Sequence, residues 1–303
     1  NLADLDGLAI HLANMGLSPE ICEPLARRFA KASAALSIVR PAESSPPAWA
    51  FFVPGQIDIL GKHTSCAGGR KLVAAPERGV CAVALPREDS QVVVMDAVSG
   101  ETVVFHISSD QQPSPDKWSE GAIRVARRVA SNFPGANRGA DIAFVSDLPS
   151  EAGLGAANAL TTSVFLVLAE ANRLTARDEY WYNLGNRIDL AAYLGAIATS
   201  SDFGSLTAES IARKPWFEGS EDQPATLCAE ARCLSQFAFR PLEFEKTLPL
   251  PSDYVLAVGY SGLPVETALL VEEDRQWAAG LIDAWRRETG RHDRHLAAAL
   301  GSS

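Results

Sequence analysis

A short apolar run, Asp141 to Val145 (DIAFV), leads into PSEAGLGAANAL, Pro149 to Leu160, and then into helix-patterned sequence as far as Glu170. A strand that passes through a glycine-rich turn into a helix constrains this chain more than any other feature. Small residues let backbone N–H groups approach an anion, and the start of the helix adds a positive dipole end. Gly153, Leu154, Gly155, Ala156, Ala157, Asn158 and Ala159 are therefore the candidate phosphate-binding residues. The backbone pattern points to a nucleotide phosphate. The side chains say less, because positions 155–158 carry no hydroxyl that could hold a divalent cation.

The rest of the composition narrows the class. The chain has 303 residues, 47% hydrophobic and 21% charged, with a formal net charge of −10. That is long enough for two domains or one large one. The acidic balance and the lack of a Lys/Arg cluster argue against nucleic acid; Arg27-Arg28, Arg127-Arg128 and Arg286-Arg287 read as solvated helix faces. No apolar run reaches the ~18 residues of a membrane span, so no membrane partner is expected. Asn1 to Gly7 carry no basic segment of a secretory signal. The cysteines (Cys22, Cys66, Cys81, Cys228, Cys233) are odd in number and form no C-x-x-C. They read as reduced, mostly buried thiols of a cytoplasmic protein.

Along the chain, residues 5–38 read as helical and Pro41–Pro47 as a linker. Trp49 to Val53 is a short strand, and residues 71–85 and 90–107 hold further strands. Lys117–Ser131 and Tyr180–Ala198 read as helices. Residues 199–235 read as a long irregular segment, of the kind that is often functional. Asp253–Gly259 (DYVLAVG) reads as a buried strand and Val265–Gly290 as a helix. Strands early and helices later suggest an α+β fold. Gly259-Tyr260-Ser261-Gly262 fails the G-x-S-x-G pattern of a hydrolase nucleophile, because Leu263 occupies the last position.

Three stretches in order carry a family pattern. Pro54 to Gly79 (PGQIDILGKHTSCAGGRKLVAAPERG), Leu148 to Leu160, and Gly219 to Cys228 (GSEDQPATLC) resemble the motifs of the GHMP superfamily of small-molecule kinases, and within it the galactokinase-like sugar kinases. The resemblance runs from about residue 45 to 300. It implies a two-domain α+β fold: a ribosomal S5-like N-terminal domain and a ferredoxin-like C-terminal domain. The corresponding boundaries are 1–47 for an N-terminal helical extension, 48–235 for the substrate and phosphate-loop domain, and 236–303 for the start of the C-terminal domain. The family's third, glycine-rich motif is expected beyond these residues.

The resemblance also implies the chemistry: ATP and a monosaccharide as ligands, Mg²⁺ as the metal, and Asp222 as the base that orients and deprotonates a sugar hydroxyl. The paired Glu221 and Asp222 in a Gly/Ser-flanked loop suit that task. His63 and Thr64 fall on sugar-site positions, with Lys62, Ser65, Glu221 and Gln56 around them. The departures cluster at the same place. Gln56 stands where an arginine is usual, Ser65 replaces an aspartate, and Cys66 replaces a tyrosine. Ala157 and Ala198 fall where a serine and a glutamate would hold Mg²⁺; Asn158, Asp147, Glu151 and Asp202 are the oxygen-bearing alternatives. The implied function is ATP-dependent phosphorylation of a sugar. The alternative is an impaired or inactive relative that binds sugar or nucleotide, or regulates a partner.

Overall fold

The computed structural model describes residues 2, 4–40, 49–113, 117–149, 152–208, 223–254, 256–262 and 267–301. Two antiparallel-rich sheets organise the chain. The larger has five strands in the order β1-β4-β7-β5-β6: β1 (Trp49–Pro54), β4 (Gly79–Pro86), β5 (Gln91–Asp96), β6 (Thr102–His106) and β7 (Ala140–Ser146). Only the β5–β7 pair is parallel. The smaller sheet has the order β2-β3-β8-β9, all antiparallel: β2 (Ile57–Leu60), β3 (Arg70–Ala74), β8 (Cys233–Ala238) and β9 (Glu243–Pro249).

Strand β4 explains how the large sheet is covered. Its residues are apolar at nearly every position, the pattern of a strand buried on both faces. Because side chains alternate, Val80, Ala82 and Ala84 enter one core while Cys81, Val83 and Leu85 enter another. The first core is completed by α3 (Lys117–Asn132), α4 (Ala156–Ala171) and α6 (Arg187–Thr199). The second is completed by α1 (Leu5–Asn14) and α2 (Pro19–Val39), through Leu12, Leu25, Phe29 and Leu36. Asp4 caps α1 by accepting the Gly7 N–H at 3.0 Å, and Pro19 sits in the first turn of α2, where a missing N–H costs nothing. Arg28 of α2 pairs with Asp147, just after β7, at 2.8 Å.

The sequence reading holds for most elements and fails at three. The expected helix Tyr180–Ala198 is two helices, α5 (Asp178–Asn183) and α6, because Gly185 breaks the run and Asn186 starts α6 as its cap, accepting the Asp189 N–H at 2.9 Å. The expected buried strand Asp253–Gly259 is irregular, with Tyr254, Leu256 and Val258 exposed. An apolar run becomes a strand only where a neighbour takes its backbone groups, and it pairs with no described strand. The segment 199–235 is not wholly irregular: it holds α7 (Gln223–Cys228) and the start of β8. The Pro41–Pro47 linker lies outside the described residues. After α7 and β9 come α8 (Thr267–Thr289) and α9 (Leu296–Gly301). No helix among the described residues is long and apolar enough to cross a membrane. All five cysteines are free thiols; Cys22 and Cys81 are buried, and burial pushes the Cys81 thiol up to about 12.

The small sheet buries an ion pair. Lys71 of β3 has a side chain with 0% exposure, and its Nζ lies 2.9 Å from Asp58 of β2. Asp58 pairs with Val73, two residues along β3 from Lys71, so the two side chains share a face. That face also carries Val73 and Phe237, which pack on Ala225 of α7. Removing one partner of such a pair leaves a buried charge uncompensated. Lys71→Met alone is therefore expected to lower stability by about 3–5 kcal/mol, whereas Asp58→Leu with Lys71→Met recovers most of that loss. Urea unfolding midpoints check this; equal losses in the single and double variants would refute it.

Candidate active site

The glycine turn after β7 does open a long helix. Gly155 is the residue before α4, with φ +76°, and Gly153 has φ +70°. Both lie in the left-handed region that glycine adopts without strain. No side chain caps α4, and Ala159 N–H donates to the Gly155 carbonyl at 2.9 Å. The N–H groups of Ala156 and Ala157 therefore point out of the helix start with no intrahelical acceptor. Gly153 and Ala157 are exposed, while Leu154, Gly155, Ala156 and Asn158 are half-buried. Ala159 departs from expectation. It is fully buried in the core, and its N–H already serves the helix, so it is part of the scaffold rather than of a phosphate cradle.

What positions the turn is the end of β1. Gln56 N–H donates to the Leu154 carbonyl at 2.9 Å, and Gly55 N–H donates to Arg78 at 2.9 Å. A methyl group on Gly55 would stand 2.5 Å from the Leu154 oxygen, so only glycine fits there. A methyl on Gly155 would stand 3.1 Å from Gln56 Cγ. Gln56 itself is buried. The structure thus brings the first and second motifs into backbone contact, with the neutral amide of Gln56 against the glycine turn.

The loop after β2 is a second tight unit. Gly61 has φ +80° and His63 φ +64°. The Thr64 hydroxyl donates between the carbonyls of Gly61 (2.8 Å) and Arg70 (3.0 Å), so its proton closes this loop instead of meeting a ligand. Ser65 is buried and starts a single 3₁₀ turn, Ser65–Ala67. Cys66 Sγ donates to the His63 carbonyl at 3.3 Å. Lys62 is exposed, and its Nζ lies 3.5 Å from where a methyl on Gly153 would be. The loop after β2 and the glycine turn after β7 therefore face each other through Lys62.

Two further residues border this region and escaped the sequence reading. His295, before α9, covers the loop: a methyl on Gly68 would stand 2.1 Å from its Nδ1. Burial, reinforced by the Arg240 charge, holds its imidazole pKa below the ordinary value. Its Nδ1 accepts the Ala298 N–H at 3.1 Å. Gln223 is fully buried, and its Oε1 accepts the Thr162 hydroxyl at 2.7 Å, which ties the first residue of α7 to α4. No local pattern could have flagged either residue, since both act on segments far away in sequence. Asp222 and Glu221, the residues just before Gln223, lie outside the described residues, as does Glu151.

Neither position where the resemblance puts a magnesium ligand carries one. Ala157 opens α4 and Ala198 lies in the last turn of α6, where its carbonyl accepts Arg124 at 2.9 Å; neither side chain has an oxygen. Asp147 is occupied on both oxygens, by Gly79 N–H (2.7 Å) and Arg28 (2.8 Å). Asp202 Oδ1 accepts the Ala208 N–H at 2.5 Å. Among the described residues no three His, Cys, Asp or Glu side chains converge.

No family model matches the chain. In sequence it is similar to the galactokinase of Glaesserella parasuis serovar 5, at 31% identity over 157 residues, 48% of this chain and 41% of that protein. It is also similar to the galactokinase of Lactobacillus helveticus, at 26% identity over 142 residues, 46% of this chain and 37% of that one. In structure it matches the galactokinase of Lactococcus lactis, solved with galactose, with a TM-score of 0.60 and 18% identity over 87% of this chain and 63% of that chain. The sequence matches span less than half the length of these curated relatives. The chain is galactokinase-like in sequence and carries the α+β fold of the GHMP kinases.

The Gly55 contact can be tested apart from any activity. Gly55→Ala forces a methyl into a backbone carbonyl and is expected to cost more than about 2 kcal/mol. Gly259→Ala, with nothing within 4 Å of the added methyl, is expected to stay within about 0.5 kcal/mol of the parent. Thermal unfolding of the two variants side by side is the measurement; equal shifts would contradict the docking of β1 on the glycine turn.

Proposed function

We propose that this chain is the core of a sugar kinase of galactokinase type, transferring a phosphoryl group from ATP to a monosaccharide hydroxyl. The observation that carries the reading is the glycine turn Gly153–Gly155, which opens α4 and is held against Gly55 and Gln56. Phosphoryl transfer asks little covalent chemistry of a protein. It asks for positioning of the phosphates and for charge stabilisation. The open N–H groups at the start of α4 suit the first task.

In this reading Asp222 is the base. It orients the attacking hydroxyl and takes its proton as the O–P bond forms. Gln223, the next residue in sequence, is tied to α4 by accepting the Thr162 hydroxyl. His63 and the loop around it form the sugar side of the site, and galactose is the default substrate. Mg²⁺ would neutralise phosphate charge when bound, but Ala157 and Ala198 provide no ligands for it, so no step is assigned to it. The same two alanines favour a second reading, a non-catalytic relative that keeps nucleotide or sugar binding.

Calorimetry with ATP, with and without Mg²⁺, and ADP release in the presence of individual hexoses separate these readings. The kinase reading expects saturable ATP binding and sugar-dependent ADP release. Asp222→Asn is expected to lower that release by roughly 10²–10⁴ while leaving ATP binding in place. ATP binding without turnover would select the second reading. Turnover untouched by Asp222→Asn would remove Asp222 from its role.

A further inference from the structure

We infer that Lys62 is a phosphate-binding residue, holding the nucleotide's anionic end across the glycine turn rather than contacting the sugar. This rests on the kinase reading above and deepens it. Lys62 falls inside the segment that the sequence assigns to sugar binding, yet its ammonium reaches the glycine turn. A methyl placed on Gly153 would stand 3.5 Å from Nζ, so the ammonium hangs over the turn that precedes α4.

The charge inventory supports the same role. Three cations bordering this region have carboxylate partners: Arg28 with Asp147, Arg70 with Glu245, Lys71 with Asp58. Lys62 has no ion-pair partner among the described residues. The loop that carries it is stiff. Gly61 and His63 on either side both have positive φ, and the Thr64 hydroxyl locks the loop to Gly61 and Arg70. Among the described residues no anion neutralises this cation near the turn. The adjacent Gln56 brings no charge, and the start of α4 supplies only partial charges. A phosphate seated on the turn would find in Lys62 the full positive charge that the turn itself lacks, as a lysine point charge does in other phosphate sites.

The test is calorimetric titration of ATP, adenosine and galactose into the parent protein, Lys62→Gln and Lys62→Arg. Lys62 is exposed, so folding is expected to survive, and unfolding midpoints verify it. The inference expects Lys62→Gln to weaken ATP at least tenfold with adenosine and galactose within twofold of the parent, and Lys62→Arg to keep ATP within about threefold. ATP affinity unchanged in Lys62→Gln, or a loss confined to galactose, would overturn the assignment while leaving the kinase reading intact. A parent protein that binds no ATP at all would overturn both.

Discussion

The contact on which the rest of the site depends is between two pieces of backbone. Gln56 N–H meets the Leu154 carbonyl at 2.9 Å, and Gly55 lets the chains come that close. One hydrogen bond contributes only about 1 kcal/mol to stability. Its importance is geometric. It fixes the end of β1 against the turn that starts α4, and β1 continues within a few residues into the loop bearing Lys62, His63 and Thr64. Two loops that would otherwise move independently become one surface.

How much of this was legible in the sequence depended on whether the cause was local. The strand–turn–helix at Asp141–Glu170 was legible because glycine and the helix pattern are local signals, and the same holds for α3 and for the strands of the large sheet. The failures have long-range causes. Tyr180–Ala198 looked continuous because its apolar spacing is continuous, and the Asn186 cap is a weak signal inside an apolar run. Asp253–Gly259 has the composition of a buried strand, but a strand also needs a neighbour. The Thr64 hydroxyl, placed at a sugar position by resemblance, donates locally to the Gly61 and Arg70 carbonyls, which the sequence does not reveal. Lys71 and Asp58 gave no warning, since neither residue reveals that the other stands across the strand pair.

Charge is unevenly spread around the glycine turn. The neutral Gln56 occupies the buried position at the turn, and positive charge sits instead at exposed Lys62 and at buried Lys71. These two lysines differ physically. The buried one is held by Asp58 and is costly to unpair. The exposed one is solvated, so its pull on an anion is weakened by water and by salt. Phosphate binding through Lys62, as proposed, would weaken as ionic strength rises.

Strand β4 acts as a party wall. Val80, Ala82 and Ala84 serve one compartment and Cys81, Val83 and Leu85 the other, while Arg28 is fastened to Asp147, just after β7. A fragment cut between α2 and β1 would therefore not be a trimmed version of the same protein. It would leave one side of the wall wet and free Asp147, from which the chain runs on to the glycine turn. The two helices at the start of the chain are remote from the site in sequence, yet they belong to its foundations.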